Sequence, residues 1–151
     1  MSFAPLAPDP WLAVPEAERD RRGKIDSDLC VIDQQHFFVR GCLEIPVRDC
    51  PDPFVWGVWV SVSETSFKRI LELWDVNTRE QDQPFFGWLC NNISIYPETF
   101  GLKTHVHLRN NGVRPFIQLE PTDHPLAVEQ RDGITLERVK EFASLLLQHR
   151  K

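Results

Sequence analysis

The densest group of chemically active side chains lies in one short turn, residues 120–125, with the sequence EPTDHP. A carboxylate beside a histidine can orient the imidazole ring or raise its basicity, which suits acid–base catalysis or metal binding. The same turn also has a purely structural interpretation as a helix cap. This interpretation is favoured, because the residues match the preferences of a helix N-cap and first helical position. Thr122 or Asp123 would cap a helix that begins near Pro125, because proline is common at the first helical position. The candidate catalytic residues are Glu120, Asp123 and His124.

Two histidines, His105 and His107, are separated by one residue in a segment that reads as a strand. Residues two apart on a strand share a face, so these rings could form a two-ligand platform for a metal ion. A third ligand would have to come from elsewhere, from His124, His36 or Glu120. Because two ligands alone are a weak signal, we expect no cofactor and keep a metal at this platform as the alternative.

Three arginines form a candidate anion site. Arg109 and Arg114 flank a predicted hairpin turn, and together with Arg40 they could clamp an anionic ligand. In an acidic chain, salt bridges to neighbouring carboxylates are the more common use of such arginines. The full set of candidate ligand-binding residues is Arg40, Trp59, His107, Arg109 and Arg114.

The sequence contains no recognised catalytic motif: GxSxG, the P-loop, GxGxxG and HExxH are all missing. None of the four cysteines belongs to a CxxC pair, and their spacing does not resemble a zinc site. Cys30, Cys42 and Cys90 lie in apolar segments typical of buried strands, whereas Cys50 lies in an accessible turn. We therefore expect four free thiols in a reducing compartment.

Charge and hydropathy exclude several classes of protein. The formal net charge of −5 argues against a general nucleic-acid binder, which needs a basic face to displace phosphate counterions. No apolar run approaches the roughly 18 residues typical of a membrane span. The first residues lack the basic start and apolar centre of a signal peptide. We expect a cytoplasmic protein with neither a nucleic-acid partner nor a membrane partner.

Residues 54–74 are the segment that organises the rest of the chain. Phe54, Trp56, Val58, Val60 and Val62 alternate along one face of a predicted strand and should cover a core. The opposite face carries Trp59 beside Gly57, which leaves a gap where another backbone or a ligand could approach. A covering helix is the more usual explanation of such a face. The period then changes, and Phe67, Ile70, Leu71 and Trp74 predict one side of a helix capped by Ser63.

The other elements follow from turn and cap signals. Residues 15–23 read as a polar surface helix, and residues 28–33 as a strand. Residues 36–39 and 42–47 read as strand segments separated by a bulge or bend at Gly41. Residues 85–89 read as a further strand with Phe86 and Trp88 on one face. Residues 103–109 and 114–120 should form a hairpin around Asn111-Gly112, because both residues tolerate positive φ. A helix over 126–131 and a final helix capped by Thr135 complete the pattern.

These elements predict an α+β fold: a mostly antiparallel sheet of about five to seven strands, with helices chiefly on one face. The length of 151 residues indicates a single domain. Residues 1–14 are rich in proline and should form an extended N-terminal arm, which Trp11 and Leu12 could anchor. The single α+β domain would then span residues 15–151.

Several strings taken together resemble a bacterial family of unknown function, domain of unknown function 2199. They are SDLCVID, HFFVRGCLEIPV, FVWGVWVSVS, FGWLCN, RPFIQLEPTDHPLAVEQ and GITLERV, and the likeness covers nearly the whole chain beyond residue 9. Many members of that family carry an additional N-terminal segment with a CxxCG…H pattern, which suggests a zinc-ribbon-like knuckle. This sequence starts at the proline-rich arm, so the resemblance implies kinship and transfers neither a metal role nor an activity.

Two functions from different classes remain open. The aromatic sheet and the missing catalytic motifs favour a non-enzymatic module that binds another protein or itself as a homodimer. An immunity-like role is one form of this hypothesis and rests on analogy between folds. The alternative is a small metal-dependent or acid–base hydrolase centred on the EPTDH turn and the HVH strand, which requires His107, Glu120, Asp123 and His124 to face one cleft.

Overall fold

The computed structural model describes residues 2–79 and 82–149. The α+β class predicted from the sequence is confirmed. The strands are β1 (Ser2–Phe3), β2 (Gly23–Ile25), β3 (Leu29–Ile32), β4 (His36–Ile45), β5 (Phe54–Val62), β6 (Phe85–Leu89), β7 (Lys103–His107) and β8 (Phe116–Leu119). The helices are α1 (Asp9–Leu12), a 3₁₀ turn (Glu16–Glu18), α2 (Arg19–Arg22), α3 (Glu64–Glu72), α4 (Pro125–Asp132) and α5 (Leu136–His149).

The strands form one mixed sheet in the order β1-β5-β6-β7-β8-β4-β3-β2. Strand β4 pairs antiparallel with β5 along nearly its whole length. It also pairs in parallel with β8, at Cys42 and Phe116, so strands β4 to β8 close into a small barrel. A second parallel pair joins β1 to β5.

The expectation of a mostly antiparallel sheet with helices chiefly on one face is wrong. Local hairpin signals predict only antiparallel neighbours, whereas the closing pair β4–β8 joins strands that are distant in sequence. Helices α3, α4 and α5 contribute Phe67, Leu126 and Phe142 to the main core. Helix α1 packs Trp11 into a separate cluster on the outer side of the sheet. The helices therefore do not share one side.

Strand β5 supplies the main core as its alternation predicts. Trp56, Val58 and Val60 are fully buried inside the barrel, together with Leu43 from β4 and Ile117 from β8. The aromatic rings of Phe54, Trp56, Tyr96 and Phe142 contact one another there. Burial of this apolar surface is the dominant stabilising contribution to such a fold.

The outer side of the sheet is covered by the chain's own N-terminal segment. Trp11 and Val14 from this segment are buried against Phe38 and Trp59 in a second apolar cluster. Within the N-terminal arm expected over residues 1–14, Asp9–Leu12 form a helical turn.

Strand β4 shows no break at Gly41, so the bulge expected there is absent from this described strand. Glycine is required for another reason. A Cβ atom at Gly41 would lie 2.5 Å from Ile117 Cδ1 and 2.9 Å from the Pro115 carbonyl oxygen. The missing side chain thus lets β8 approach β4 closely enough to close the barrel.

Several predicted caps and turns are found where the sequence places them. Ser63 Oγ accepts a hydrogen bond from the Ser66 N–H at the start of α3. Asn111 and Gly112 both adopt positive φ between β7 and β8. Leu71 differs from its prediction, because it is exposed, whereas Phe67 and Ile70 of the same helix are buried.

Candidate functional site

His124 is a capping residue, and its contacts are structural. Its Nδ1 atom accepts from the Leu126 N–H at 3.1 Å, a role that the sequence assigned to Thr122 or Asp123. Its Nε2 atom lies 3.1 Å from the carbonyl oxygens of both Pro97 and Glu98. With Nδ1 accepting, Nε2 must carry the proton and donate, so both ring nitrogens are engaged with the backbone.

The structure brings Glu120 to His105 and not to His124. His105 Nε2 and Glu120 Oε2 are 3.1 Å apart on the outer face of the β7–β8 pair, and each side chain is about one-third exposed. His107 Nε2 contacts Gln118 Oε1 at 2.9 Å on the same face. No hydrogen bond among the described residues links His124 to His105, His107 or Glu120. The proposed catalytic group is therefore divided between the barrel wall and the cap of α4.

The two histidines on β7 do not gain a third ligand. Within residues 2–79 and 82–149, no group of three or more His, Cys, Asp or Glu side chains could hold a metal ion. His105 instead contacts Glu120, the residue directly after β8, and His107 contacts Gln118 within β8.

The three candidate arginines each bind groups of the chain itself. Arg109 Nη1 donates to Glu44 Oε2 at 2.7 Å, and its Nε donates to the Arg114 carbonyl oxygen. Arg114 Nε donates to Asp28 Oδ1 at 2.7 Å. Arg40 is buried, and its Nη1 atom donates to the Ser27 carbonyl oxygen. Burial lowers the pKa of Arg40, and the nearby Arg114 charge adds to that effect.

Trp59 is fully buried beneath the N-terminal segment. Its Nε1 atom donates to the Pro5 carbonyl oxygen at 3.2 Å, and Arg40 lies over its ring. The arm's backbone at Pro5 therefore contacts the face of β5 that carries Trp59. Trp59 therefore contacts a segment of this chain in the position where an external ligand was considered.

An apolar groove of about 660 Å³ lies on the outer side of the sheet. Its lining includes Pro10, Ala13 and Val14 of the N-terminal segment and the aromatic rings of Trp88 and Phe100. Ile32, Phe38 and Cys90 complete the apolar lining. Trp88 is 44% exposed and Phe100 is 40% exposed, which is unusual for side chains of this size. We name this feature the aromatic groove.

A second cavity of about 330 Å³ adjoins the aromatic groove and shares His36, Ser61 and Trp88 with it. Phe86, which is 41% exposed, forms part of its wall and meets Trp88 edge to face at 5.2 Å. Its remaining lining mixes polar and apolar residues. Gln35, Ser63 and Ser66 lie there together with Phe37 and Val62. The two cavities form one continuous surface with an apolar end and a mixed end.

A fixed ion pair marks the polar rim of the aromatic groove. Arg22 Nε and Nη2 donate to the two carboxylate oxygens of Asp33 at 3.0 and 2.8 Å. These hydrogen bonds hold the pKa of the Asp33 carboxyl below its ordinary value. The rim of the groove thus carries a positive and a negative group in fixed positions.

The one thiol in the aromatic groove is unsuited to nucleophilic chemistry. Cys90 is buried, and burial raises the pKa of its thiol. Its Sγ atom contacts the Trp88 carbonyl oxygen at 3.3 Å. A thiol with a raised pKa is protonated near neutral pH, and the thiolate is the reactive form. The groove is therefore chemically suited to binding.

The sequence contained part of the signal for this site. Phe86 and Trp88 are two residues apart in a predicted strand, so they share a face. Their alternation could not show whether that face is covered. Exposure of both rings, and the approach of the N-terminal segment from the other side, follow only from the closed sheet.

Comparison with known proteins identifies a family for this chain. A family model described as "Uncharacterized protein conserved in bacteria (DUF2199)" matches residues 1–134. No curated protein and no solved structure matches the chain. Over the part of the chain that the structure describes, no helix is both long enough and apolar enough to cross a membrane.

Proposed function

The chain belongs to this family of uncharacterized proteins conserved in bacteria, and from that starting point we propose that it is a non-enzymatic cytosolic module that binds a protein partner through the aromatic groove. The observation that carries the proposal is the exposure of Phe86, Trp88 and Phe100 beside a groove of about 660 Å³. Exposed aromatic clusters rimmed by polar groups are typical of protein interaction sites.

The shape of the surface favours an elongated partner segment. The aromatic groove continues past Trp88 into the second cavity, so one ligand can contact both. A partner segment would place an apolar or aromatic side chain against Val14 and Trp88, and a hydrogen-bonding group near Ser63 and Ser66. Large rigid rings such as Trp88 dominate the binding energy at interfaces of this kind.

The test uses a library of displayed random peptides selected on the full-length chain, followed by affinity measurements with purified variants. We expect the selected peptides to be rich in apolar and aromatic residues. We expect Trp88→Ala to weaken their binding by at least about tenfold, which is the loss typical of an aromatic hot spot. Trp88→Ala should change the free energy of unfolding little, because the ring is 44% exposed.

Leu71→Ala is the matched control, because Leu71 is 45% exposed and lies on α3, outside the linings of the aromatic groove and the second cavity. Peptides that bind wild type, Leu71→Ala and Trp88→Ala with equal affinity would contradict the proposal. Failure to select any peptide, together with failure to recover a partner from the host, would also contradict it.

One observation favours the second candidate function, a small hydrolase. The His105–Glu120 pair is partly exposed, and a carboxylate can orient an imidazole for acid–base work. An activated ester such as p-nitrophenyl acetate is a suitable first probe. Hydrolysis that is lost in both His105→Ala and Glu120→Gln and kept in Trp88→Ala would favour the hydrolase over the binding module.

A further inference from the structure

The N-terminal segment is held on the sheet in the way that a binding domain holds a separate peptide. We name residues 2–14 the arm. Ser2 and Phe3 pair in parallel with Val55 and Trp56, so the arm begins as an added edge strand beside β5. Addition of an extended segment to a sheet edge is a common mode of peptide recognition.

Side chains of the body then bind the arm's backbone at alternate residues. The Pro5 carbonyl oxygen accepts from Trp59 Nε1 and from Arg40 Nη2, both at 3.2 Å. The Ala7 carbonyl oxygen accepts from Asn91 Nδ2 at 3.0 Å. We name Arg40, Trp59 and Asn91 the seat. Binding at every second residue is the period of an extended chain.

Asp9 continues the same pattern and adds a charge. Its backbone N–H donates to the Cys90 carbonyl oxygen at 2.8 Å. Its carboxylate accepts from Asn91 Nδ2 at 3.2 Å and from the Asn92 N–H at 2.8 Å. These contacts fix the register of the arm, because only one residue in this part of the arm carries a carboxylate.

Trp11 is the apolar anchor of the arm. It is buried in the second cluster beside Cys30, Ile32 and Phe38, and Arg19 lies over its ring. A buried aromatic ring preceded by a series of backbone contacts is the arrangement of an anchored peptide ligand.

Arm residues 4–14 can leave without opening the main core. Of these residues, Ala7, Trp11 and Val14 belong to the smaller second cluster, and none belongs to the main core cluster. The connection to the body passes through Pro15, which has φ −55° and ψ 136° and lies outside any helix or strand. The arm is therefore joined to the body by an irregular residue at its end.

Departure of the arm would expose apolar surface that the arm now covers. Phe38 and Trp59 are buried in the second cluster together with Trp11 and Val14 of the arm. Water would replace the Pro5 carbonyl oxygen as the partner of Arg40 and Trp59 Nε1, so the main cost is the apolar surface left open to water. The seat therefore favours being filled by one arm or another.

We propose that the seat binds the arm of a second copy as well as its own, so that two copies of the chain associate by exchanging arms. Exchange preserves every arm contact, since the same atoms meet in both arrangements. It also supplies the wall of the aromatic groove formed by Pro10, Ala13 and Val14 from the second copy. The chain's own arm is tethered to its seat and therefore competes at a high effective concentration with the arm of a second copy. The wild-type chain is consequently mainly monomeric at micromolar concentrations.

The test mixes two complementary variants of the full-length chain. Trp11→Ala damages the arm and leaves the seat intact. Asn91→Asp damages the seat, because it keeps the oxygen that accepts from the Trp59 N–H but replaces the donor to Ala7 and repels Asp9. We expect light scattering to give each variant alone the molar mass of a monomer, 17.6 kDa. The mixture should give twice that mass, because the two variants form a one-to-one complex.

The double variant Trp11→Ala with Asn91→Asp is the matched control. When the double variant is mixed with Asn91→Asp, neither molecule has an intact seat. The mixture should therefore keep the mass of a monomer. If circular dichroism shows that Trp11→Ala is unfolded, Asp9→Ala replaces it, since this change removes two hydrogen bonds of the arm from a half-buried position.

The proposal would be overturned if two folded variants remained monomeric when mixed at about 100 μM. Weak specific association is detectable at that concentration. A complex that also forms with the double variant would overturn it too, because it would not depend on the seat. Neither result bears on peptide binding at Trp88, so this proposal and the proposed function fail separately.

Discussion

Tyr96 is the only tyrosine of the chain; it is buried, and its hydroxyl group belongs to a partly buried hydrogen-bond network. The hydroxyl donates to Glu129 Oε1 at 2.6 Å, and Arg138 Nε donates to Glu129 Oε2 at 2.8 Å. Arg138 also stacks over Phe142 at 4.6 Å. The network joins the loop after β6 to helices α4 and α5. Burial raises the pKa of Tyr96, and the hydrogen bond to Glu129 raises it further.

This raised pKa predicts a loss of stability in alkali. The folded protein keeps Tyr96 neutral, whereas the unfolded chain ionises it near pH 10. The contribution to stability is therefore complete below about pH 10 and is lost as the pH rises above that value. We expect tyrosinate absorbance to appear only together with the loss of circular dichroism. Tyrosinate that forms near pH 10 in a protein with unchanged circular dichroism would contradict this prediction.

Arg79 shows where residue-level prediction fails. Residues 75–84 are polar in sequence, yet Arg79 is only 3% exposed. Its guanidinium donates to the carbonyl oxygens of Arg109, Trp74 and Val113, and it lies over the Trp74 ring. A single-sequence pattern assigns such a residue to solvent, because the carbonyl oxygens that bind it are distributed over distant turns.

At the scale of elements, the closure of the barrel depends on the close approach of β8 to β4. The two strands are joined at a single residue pair, and the Cys42 N–H donates to the Pro115 carbonyl oxygen at 2.8 Å. Gly41 provides the space for this contact. A sequence gives no such reason for a glycine in a strand, and the usual explanation is a bulge.

We expect Gly41→Ala to destabilise the protein by about 1–3 kcal/mol, because the added methyl group overlaps Ile117 and the Pro115 carbonyl oxygen. Urea denaturation monitored by circular dichroism provides the measurement. The double variant Gly41→Ala with Ile117→Ala is the control. Its loss should be smaller than the sum of the two single losses, since one clash is removed. Additive losses would show that Gly41 acts through some other contact.

Elements defined by local chemistry were predicted well. The change from strand to helix at Ser63 and the hairpin at Asn111-Gly112 each depend on neighbours within a few residues, and both are present. The cap of α4 was assigned to Thr122 or Asp123, while His124 performs it. Side chains beside one another in sequence compete for the same backbone donor, so the position of a cap is less certain than its existence.

At the scale of the whole molecule, two apolar clusters lie on opposite sides of strands β4 and β5. The main cluster fills the barrel, and the smaller one holds the arm through Trp11 and Trp59. Regions with few buried apolar contacts open more easily than the main core. The protein should therefore unfold locally at the arm before it unfolds globally.

Native-state hydrogen exchange tests this expectation. In the arm, the Asp9 amide donates to the Cys90 carbonyl oxygen and the Val14 amide donates to the Trp11 carbonyl oxygen. We expect these two amides to exchange at least about tenfold faster than the Val58 and Val60 amides of β5. Trp11→Ala should widen the difference by accelerating the arm amides alone. Equal exchange in the arm and in β5, with equal sensitivity to denaturant, would show that the molecule opens as one unit.

The sequence by itself determined the α+β class, the strand β5 with its buried face, and the aromatic pair Phe86 and Trp88. Each of these follows from a periodicity or a turn signal contained within one short segment. Only the tertiary structure decided that the sheet closes through β8, that the arm covers Trp59, and that Glu120 meets His105 and not His124. These contacts join residues distant in sequence. Their free energy depends on which surfaces remain exposed after the sheet closes, and no local pattern records that.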